Sequence, residues 1–144
     1  MTLRIREATT DHAPALAQLV TQQGYPSQPD QIVRRLAALP RGCSIVLVAA
    51  SGNETVGLVQ VTLKSIIVVE RSADIGVMVV GEKWRGKGIG HALLKAAETW
   101  AAERSCSTMY VRSNALRKGA HTFYRQIGYE QLQTSLMFTK QLLE

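Results

Sequence analysis

The amino-acid sequence predicts an α/β fold in which about four helices flank a central mixed β-sheet. Short β-branched runs alternate with stretches of helical periodicity, and Gly and Pro separate them. The resulting order is β-α-α-β-β-β-α-β-α-β, which is typical of a layered α/β sandwich. No internal repeat or low-complexity linker interrupts the 144 residues. We therefore expect one domain spanning residues 1–144.

The N-terminal half predicts three strands and two helices. Residues 3–7 alternate as a strand does, and the next helix begins after the capping residues 9–11 and ends at Gly24. A second cap at residues 27–30 places Pro29 in the first turn of another helix. Strands are then expected at residues 44–50 and 55–64, joined by a turn at residues 51–54.

The C-terminal half predicts the remaining strands and helices. Residues 66–69 are expected to continue or restart the preceding strand. The other elements expected are strands at residues 73–80, 108–112 and 129–141 and helices at residues 88–104 and 118–127.

Composition and charge exclude several classes of protein. The most apolar stretch, residues 65–80, contains Glu70, Arg71 and Asp74, so it is not expected to span a membrane. The first seven residues lack an apolar secretion core, and we expect a cytoplasmic protein with reduced cysteines. The formal charge of +6 does not come with a nucleic-acid recognition pattern, and a small polyanionic ligand explains it as economically.

The most informative motif is Arg85-Gly86-Lys87-Gly88-Ile89-Gly90, between an apolar strand and a helix. Glycines let backbone N–H groups approach a ligand closely, and a helix N-terminus carries a partial positive charge. The motif therefore predicts an anion site.

Two nucleotide-binding patterns do not fit this loop. No window matches GxxxxGK[ST], and GxGxxG fails because its last position holds His91 in one register and Leu93 in the other. A third pattern, [Arg/Gln]-x-x-Gly-x-[Gly/Ala], is met by Arg85, Gly88 and Gly90.

With this loop, the chain resembles the GNAT superfamily of acyl-CoA-dependent N-acyltransferases. The strand at residues 74–80, the glycine loop and the helix behind it all match. A second block, residues 120–129, is similar to the family's A-x-x-F-Y-x-x-x-G-[FY] signature. The resemblance covers the whole chain and implies a GNAT-like fold with acetyl-CoA as co-substrate and no metal.

The resemblance also implies which groups bind coenzyme A. Backbone amides of Arg85, Gly86, Lys87, Gly88, Ile89 and Gly90 would wrap the pyrophosphate. Backbone groups of Met78, Val79 and Val80 would bind the pantetheine arm, and Asn114 would make a polar contact with the cofactor. An N–H group on that strand would also stabilise the oxyanion of a tetrahedral intermediate.

Two residues are implied for proton handling. Tyr124 matches the tyrosine that lies near the coenzyme sulfur in the family, and its ordinary pKa of about 10 keeps it protonated at pH 7. Asp74 occupies the strand on which several members carry a glutamate base, and it would act directly or through water. Gly76 follows closely, and a glycine within a strand often marks a bulge.

The acceptor is left open by the sequence. Gln22, Gln23, Tyr25 and Pro26 are expected to line its pocket, but they fit a peptide N-terminus, a lysine, a polyamine, an aminoglycoside or an amino acid equally well. The sequence favours an N-acetyltransferase with direct transfer to a small-molecule or peptide amine. The alternatives are a non-catalytic acyl-CoA-binding module and a basic nucleic-acid-binding protein. Alternation over residues 132–138 also permits a homodimer.

Overall fold

The computed structural model describes residues 2–113 and 117–143. The chain divides into two compact units, Met1–Arg112 and Ser113–Glu144. The first unit contains the sheet and three helices, and the second contains the fourth helix.

Five strands form one mixed sheet. The mixed sheet is as predicted, but the predicted order contained a sixth strand, at residues 129–141, which the structure lacks. The five strands are β1 (Leu3–Glu7), β2 (Ser44–Ser51), β3 (Glu54–Lys64), β4 (Ser72–Val80) and β5 (Thr108–Val111). The strands lie in sequence order; β1 to β4 are antiparallel, and β5 is parallel to β4. A helix connects β4 to β5, and such a long crossover connection is what a parallel pair of strands requires.

Two helices cover one face of the sheet. These are α1 (Ala13–Gln22) and α2 (Pro29–Ala38), and α2 begins at the proline that the sequence marked as a first-turn residue. Buried Leu16 and Leu19 of α1 pack with Val46, Val48, Leu58 and Val79 of the sheet. Burial of such aliphatic side chains stabilises the fold by about 1.5–3 kcal/mol each.

Helix α3 (Ile89–Glu103) covers the opposite face. Its side chains Ile89, Leu93, Leu94 and Ala97 are at most 1% exposed, and Ile89 and Leu93 lie against Gly57 of β3. A Cβ at Gly57 would lie 2.9 Å from the carbonyl oxygen of Val79 and 3.1 Å from Leu93. The missing side chain therefore lets α3 lie close to the sheet at the point where the helix begins.

Strand β4 contains a bulge at Gly76. Gln60 of β3 pairs with Val77, and the next residue, Val61, pairs with Ile75, so Gly76 has no partner on β3. Without the bulge, alternation would place Asp74 and Val77 on opposite faces of the sheet. With the bulge, Asp74 pairs with Thr62 and Val77 pairs with Gln60. Thr62 and Gln60 lie on the same face of β3, so Asp74 and Val77 both lie on the face of the sheet that α1 and α2 cover.

The second unit contains α4 (Lys118–Gln126) and the segment after it. Rings of Phe123, Tyr124 and Tyr129 stack edge to face, with centroids 5.4 Å and 6.0 Å apart. The prediction of a strand at residues 129–141 is wrong: this segment has neither helix nor strand, and its apolar side chains, such as Met137 and Phe138, are exposed. Alternation alone does not make a strand, because a strand needs a neighbour for its backbone groups.

Residues 66–69 also differ from the prediction. They do not extend β3, which ends at Lys64, but form an exposed turn. Cys43 and Cys106 are both free thiols. Among residues 2–113 and 117–143, no helix has the length and apolar character needed to cross a membrane.

Candidate functional site

The glycine loop has the backbone that its sequence predicts. Gly86 and Gly88 have φ angles of +76° and +83°, in the left-handed region that other residues rarely adopt. A Cβ at either position would meet no atom within 4 Å, so the space outside the loop is open. Helix α3 starts at the next residue, Ile89. The first N–H groups of a helix have no partner within it, and here they adjoin an open glycine turn that can hold an anion.

Three contacts hold this loop to the sheet. The indole Nε1 of Trp84 donates a hydrogen bond of 3.0 Å to Oε2 of Glu54, in the β2–β3 hairpin. Nε of Arg85 donates a long hydrogen bond of 3.4 Å to the carbonyl of Val80, where β4 ends. The side chain of Ile89 is buried in the core. These contacts therefore hold the backbone in place on both sides of Gly86 and Gly88.

Strand β4 offers a free edge beside this loop. β5 pairs with residues 72–75 of β4 only, although β4 continues to Val80. In the described part of the chain, no strand pairs with that edge beyond the bulge. The edge includes backbone groups of Met78, Val79 and Val80, while the side chain of Val79 belongs to the core. Such an edge can bind an extended ligand through main-chain hydrogen bonds.

A cavity of about 330 Å³ lies between the sheet and the two helices α1 and α2. It reaches β4 at Gly76 and Val77, where the free edge starts. Its lining consists of Leu16, Val20, Tyr25, Ser27, Ile32, Arg35, Leu36, Leu39, Val46, Leu58, Gln60, Gly76 and Val77. Of the four residues that the sequence nominated for the acceptor pocket, the lining includes Tyr25 but not Gln22, Gln23 or Pro26.

Asp74 lies on the same face of the sheet as this cavity. Its Oδ2 forms an ion pair of 2.7 Å with Nζ of Lys64 and lies 3.6 Å from an Nη of Arg112. Its side chain is 15% exposed, and Oδ1 is buried with no hydrogen-bond partner among the described residues. The two cations thus offset the charge of the whole carboxylate, and Oδ1 is the oxygen that has no donor among the described residues.

Tyr124 lies on α4 in the second unit. Burial raises the pKa of its phenol above the ordinary value, and the positive charge of Arg117 opposes this in part. The protonated form is therefore favoured at neutral pH. Asn114, the other candidate from this part of the chain, lies outside the described residues.

Comparison with known proteins identifies the family. The family model described as acetyltransferase (GNAT) family matches residues 13–129. The chain belongs to the GNAT acetyltransferase family. Transfer of an acetyl group from acetyl-CoA to an amine is the general reaction of this family, and the glycine loop and the free β4 edge are compatible with coenzyme A.

Several relatives of this GNAT protein have names that refer to antibiotic modification. It is 30% identical over 139 residues to an aminoglycoside N(6')-acetyltransferase type 1 of Stenotrophomonas maltophilia, covering 93% of this chain and 90% of the relative. The structure of AAC(6')-Iy in complex with the bisubstrate analogue CoA-S-monomethyl-acetylneamine has a TM-score of 0.83 at 15% identity, covering 99% and 100% of the two chains.

Another solved structure has a different description. A transcriptional regulator from Bacillus halodurans C-125 has a TM-score of 0.87 at 25% identity, covering 96% of this chain and 100% of the other. The shared fold is therefore established, while the descriptions of individual relatives differ.

The sequence did not single out Arg35 or Gln60, which line the cavity. Arg35 lies on α2 and Gln60 on β3, and only the pairing of β3 with β4 and the packing of α2 bring them to one cavity. The signal that was present is Gly76, because a glycine within a strand indicated the bulge.

Proposed function

We propose that this protein is an N-acetyltransferase that moves the acetyl group of acetyl-CoA to a primary amine by direct attack in a ternary complex. The observation that carries the proposal is the glycine loop at the start of α3, with Gly86 and Gly88 at positive φ, beside the free edge of β4. The loop suits a pyrophosphate, and the edge suits the amide-containing pantetheine arm.

The reaction needs five contributions from the protein. The loop residues 85–90 bind the pyrophosphate, and the backbone of residues 78–80 binds pantetheine and the thioester carbonyl. The amine attacks this carbonyl, and a backbone N–H stabilises the oxyanion, an effect typically worth about 3–4 kcal/mol. Asp74 accepts the proton of the amine, directly or through water, and Tyr124 donates a proton to the departing thiolate.

The proposed function is tested by ligand binding and thiol release together. Acetyl-CoA at about 100 times its Kd is expected to raise the free energy of unfolding by about 2.7 kcal/mol, because it binds the folded state only. Amines are then expected to release free coenzyme A, measured with a thiol reagent, at a rate proportional to enzyme. The control is acetyl-CoA with enzyme and no amine.

The outcomes separate this proposal from its main alternative. Stabilisation by acetyl-CoA without thiol release for any amine would identify a non-catalytic acyl-CoA-binding module. Absence of stabilisation at millimolar acetyl-CoA would contradict both. Tight, steeply salt-dependent binding to DNA, without acetyl-CoA binding, would favour a nucleic-acid-binding protein instead.

Replacing Asp74 by Asn tests its role as base. We expect Asp74→Asn to lower kcat/KM at least tenfold, since the amide cannot accept a proton at neutral pH. Lys64→Gln is the matched control, because it removes the 2.7 Å ion pair but keeps the carboxylate. Melting temperature measures the structural effect of each variant and kcat/KM the chemical effect. If the two variants lose equal activity and equal stability, Asp74 has a structural role only.

A further inference from the structure

The cavity between α1, α2 and the sheet has a chemical character that bears on the acceptor. Most of its lining is aliphatic: Leu16, Val20, Ile32, Leu36, Leu39, Val46, Leu58 and Val77. Its volume of about 330 Å³ lies near the lower end of the range of about 300–1,000 Å³ typical of ligand pockets. The cavity thus suits a small ligand with an apolar body.

The lining of the cavity carries a positive charge. Arg35 is the lining residue with a permanent charge, and the lining residues include no Asp or Glu. In the two ion pairs found among the described residues, the acidic group is Asp74 and the cations are Lys64 and Arg112. The lining itself therefore offers a polycationic ligand no anionic partner and places the exposed Arg35 beside it, which is unfavourable. Asp74, on the same face of the sheet, already pairs with two cations.

Arg35 is also held in place by neighbouring groups. Its Nη1 donates a hydrogen bond of 3.2 Å to Oγ of Ser27, and that hydroxyl donates in turn to the carbonyl of Tyr25, 3.0 Å away. The backbone N–H of Ser27 donates to Oγ1 of Thr21 on α1, at 3.1 Å. A guanidinium has five N–H donors, so one bond to Ser27 leaves others for a carboxylate.

The part of the lining that the sheet contributes includes one polar side chain, Gln60, and reaches the bulge. Nε2 of Gln60 donates to Oγ of Ser44 at 3.3 Å, which leaves the amide oxygen as an acceptor for an amine N–H. Gly76 lies against Gln60: a Cβ built on the glycine would be 4.0 Å from Cδ of Gln60. This part of the lining adjoins the free edge of β4, where the thioester would lie in the proposed function.

We infer that the acceptor is a small primary amine that has an apolar chain and a carboxylate, as an apolar amino acid does. The inference rests on the proposed acetyl transfer. Arg35 binds the carboxylate, the aliphatic lining binds the chain, and the amine is directed towards Gln60 and Gly76. The amine nitrogen gains the acetyl carbon and loses one proton, while coenzyme A leaves as the thiol.

Matched pairs of acceptors test this inference. Each pair differs only in the carboxylate: leucine with isoamylamine, phenylalanine with phenethylamine, and ε-aminocaproate with pentylamine. Kanamycin represents the polycationic aminoglycosides. The measurement is kcat/KM for release of free coenzyme A, with binding of acetyl-CoA measured separately by calorimetry. We expect at least one carboxylated amine to exceed its partner tenfold and to exceed kanamycin.

Substitutions on α2 test whether Arg35 causes this preference for a carboxylated amine. Arg35→Ala is expected to reduce the preference for the carboxylated amine to about twofold or less, and Arg35→Glu to reverse it. Arg34→Ala is the matched control, since Arg34 is, like Arg35, an exposed cation on α2 but does not line the cavity. Arg34→Ala should leave the preference and the acetyl-CoA affinity unchanged.

The remaining outcomes would contradict either the acceptor class alone or acetyl transfer as well. Preference for kanamycin or for the amines without carboxylate, or a preference unaffected by Arg35→Ala, overturns the acceptor class and leaves acetyl transfer in place. Absence of thiol release with all seven amines, in enzyme that binds acetyl-CoA, overturns both acetyl transfer and the acceptor class.

Discussion

Replacing Gly88 by valine is expected to weaken acetyl-CoA binding by about 10- to 100-fold. Gly88 has a φ of +83° immediately before α3, and a β-branched residue in that region costs about 1–3 kcal/mol. Because the loop is exposed, the variant can relieve this strain by moving the loop out of its binding geometry. Acetyl-CoA can then bind only if the loop returns to its strained geometry, which makes binding less favourable. Each 1.4 kcal/mol lost corresponds to a factor of ten in Kd.

Gly42→Val is a matched control for this experiment. Gly42 has a φ of +78°, and a Cβ there would also meet no atom within 4 Å, but it precedes β2 and lies far from the loop in sequence. Both variants are expected to lower the melting temperature of the free protein slightly. Calorimetry should show weakened acetyl-CoA binding for Gly88→Val alone. Equal affinities of the two variants would show that the loop does not bind the pyrophosphate.

The glycine loop could be predicted from sequence because its determinants are local. The glycines allow positive φ, and the apolar periodicity of residues 89–103 predicts α3 from its own sequence alone. The positions of the three helices in the first unit follow from the same local periodicity, whereas residues 66–69 did not continue β3 as predicted. The strand predicted at residues 129–141 failed because alternation describes one strand, while strand formation depends on a second.

Apart from Tyr25, the cavity lining could not be predicted from sequence, because it depends on three elements that are distant along the chain. Arg35 belongs to α2, Gln60 to β3 and Gly76 to β4. The sequence indicated a bulge at Gly76, but its consequence depends on register: the pairs Thr62–Asp74 and Gln60–Val77 place both β4 residues on the cavity face. A shift of pairing by one residue would reverse the face of every side chain. The register places Asp74 on the cavity face, and its role as base stays a prediction.

Tyr124→Phe is expected to lower kcat by about 100-fold, at the lower end of the contribution typical of general acid catalysis. The phenylalanine keeps the ring that stacks against Phe123 and Tyr129 but removes the donated proton. Acetyl-CoA affinity is expected to change less than twofold. Tyr129→Phe is the matched control, because it removes a hydroxyl from the same aromatic cluster and should leave kcat unchanged.

The pH dependence of kcat provides the stricter test of Tyr124. Burial raises the pKa of this phenol, so the donor stays protonated through neutral pH and is lost only as the pH rises above its ordinary value of about 10. The wild-type kcat should therefore decline at alkaline pH, and Tyr124→Phe should lack this decline. Since Arg117 lowers the pKa, Arg117→Gln should move the decline to still higher pH. An alkaline decline of the same size and position in Tyr124→Phe would assign it to another group, and Tyr124 would not be the acid.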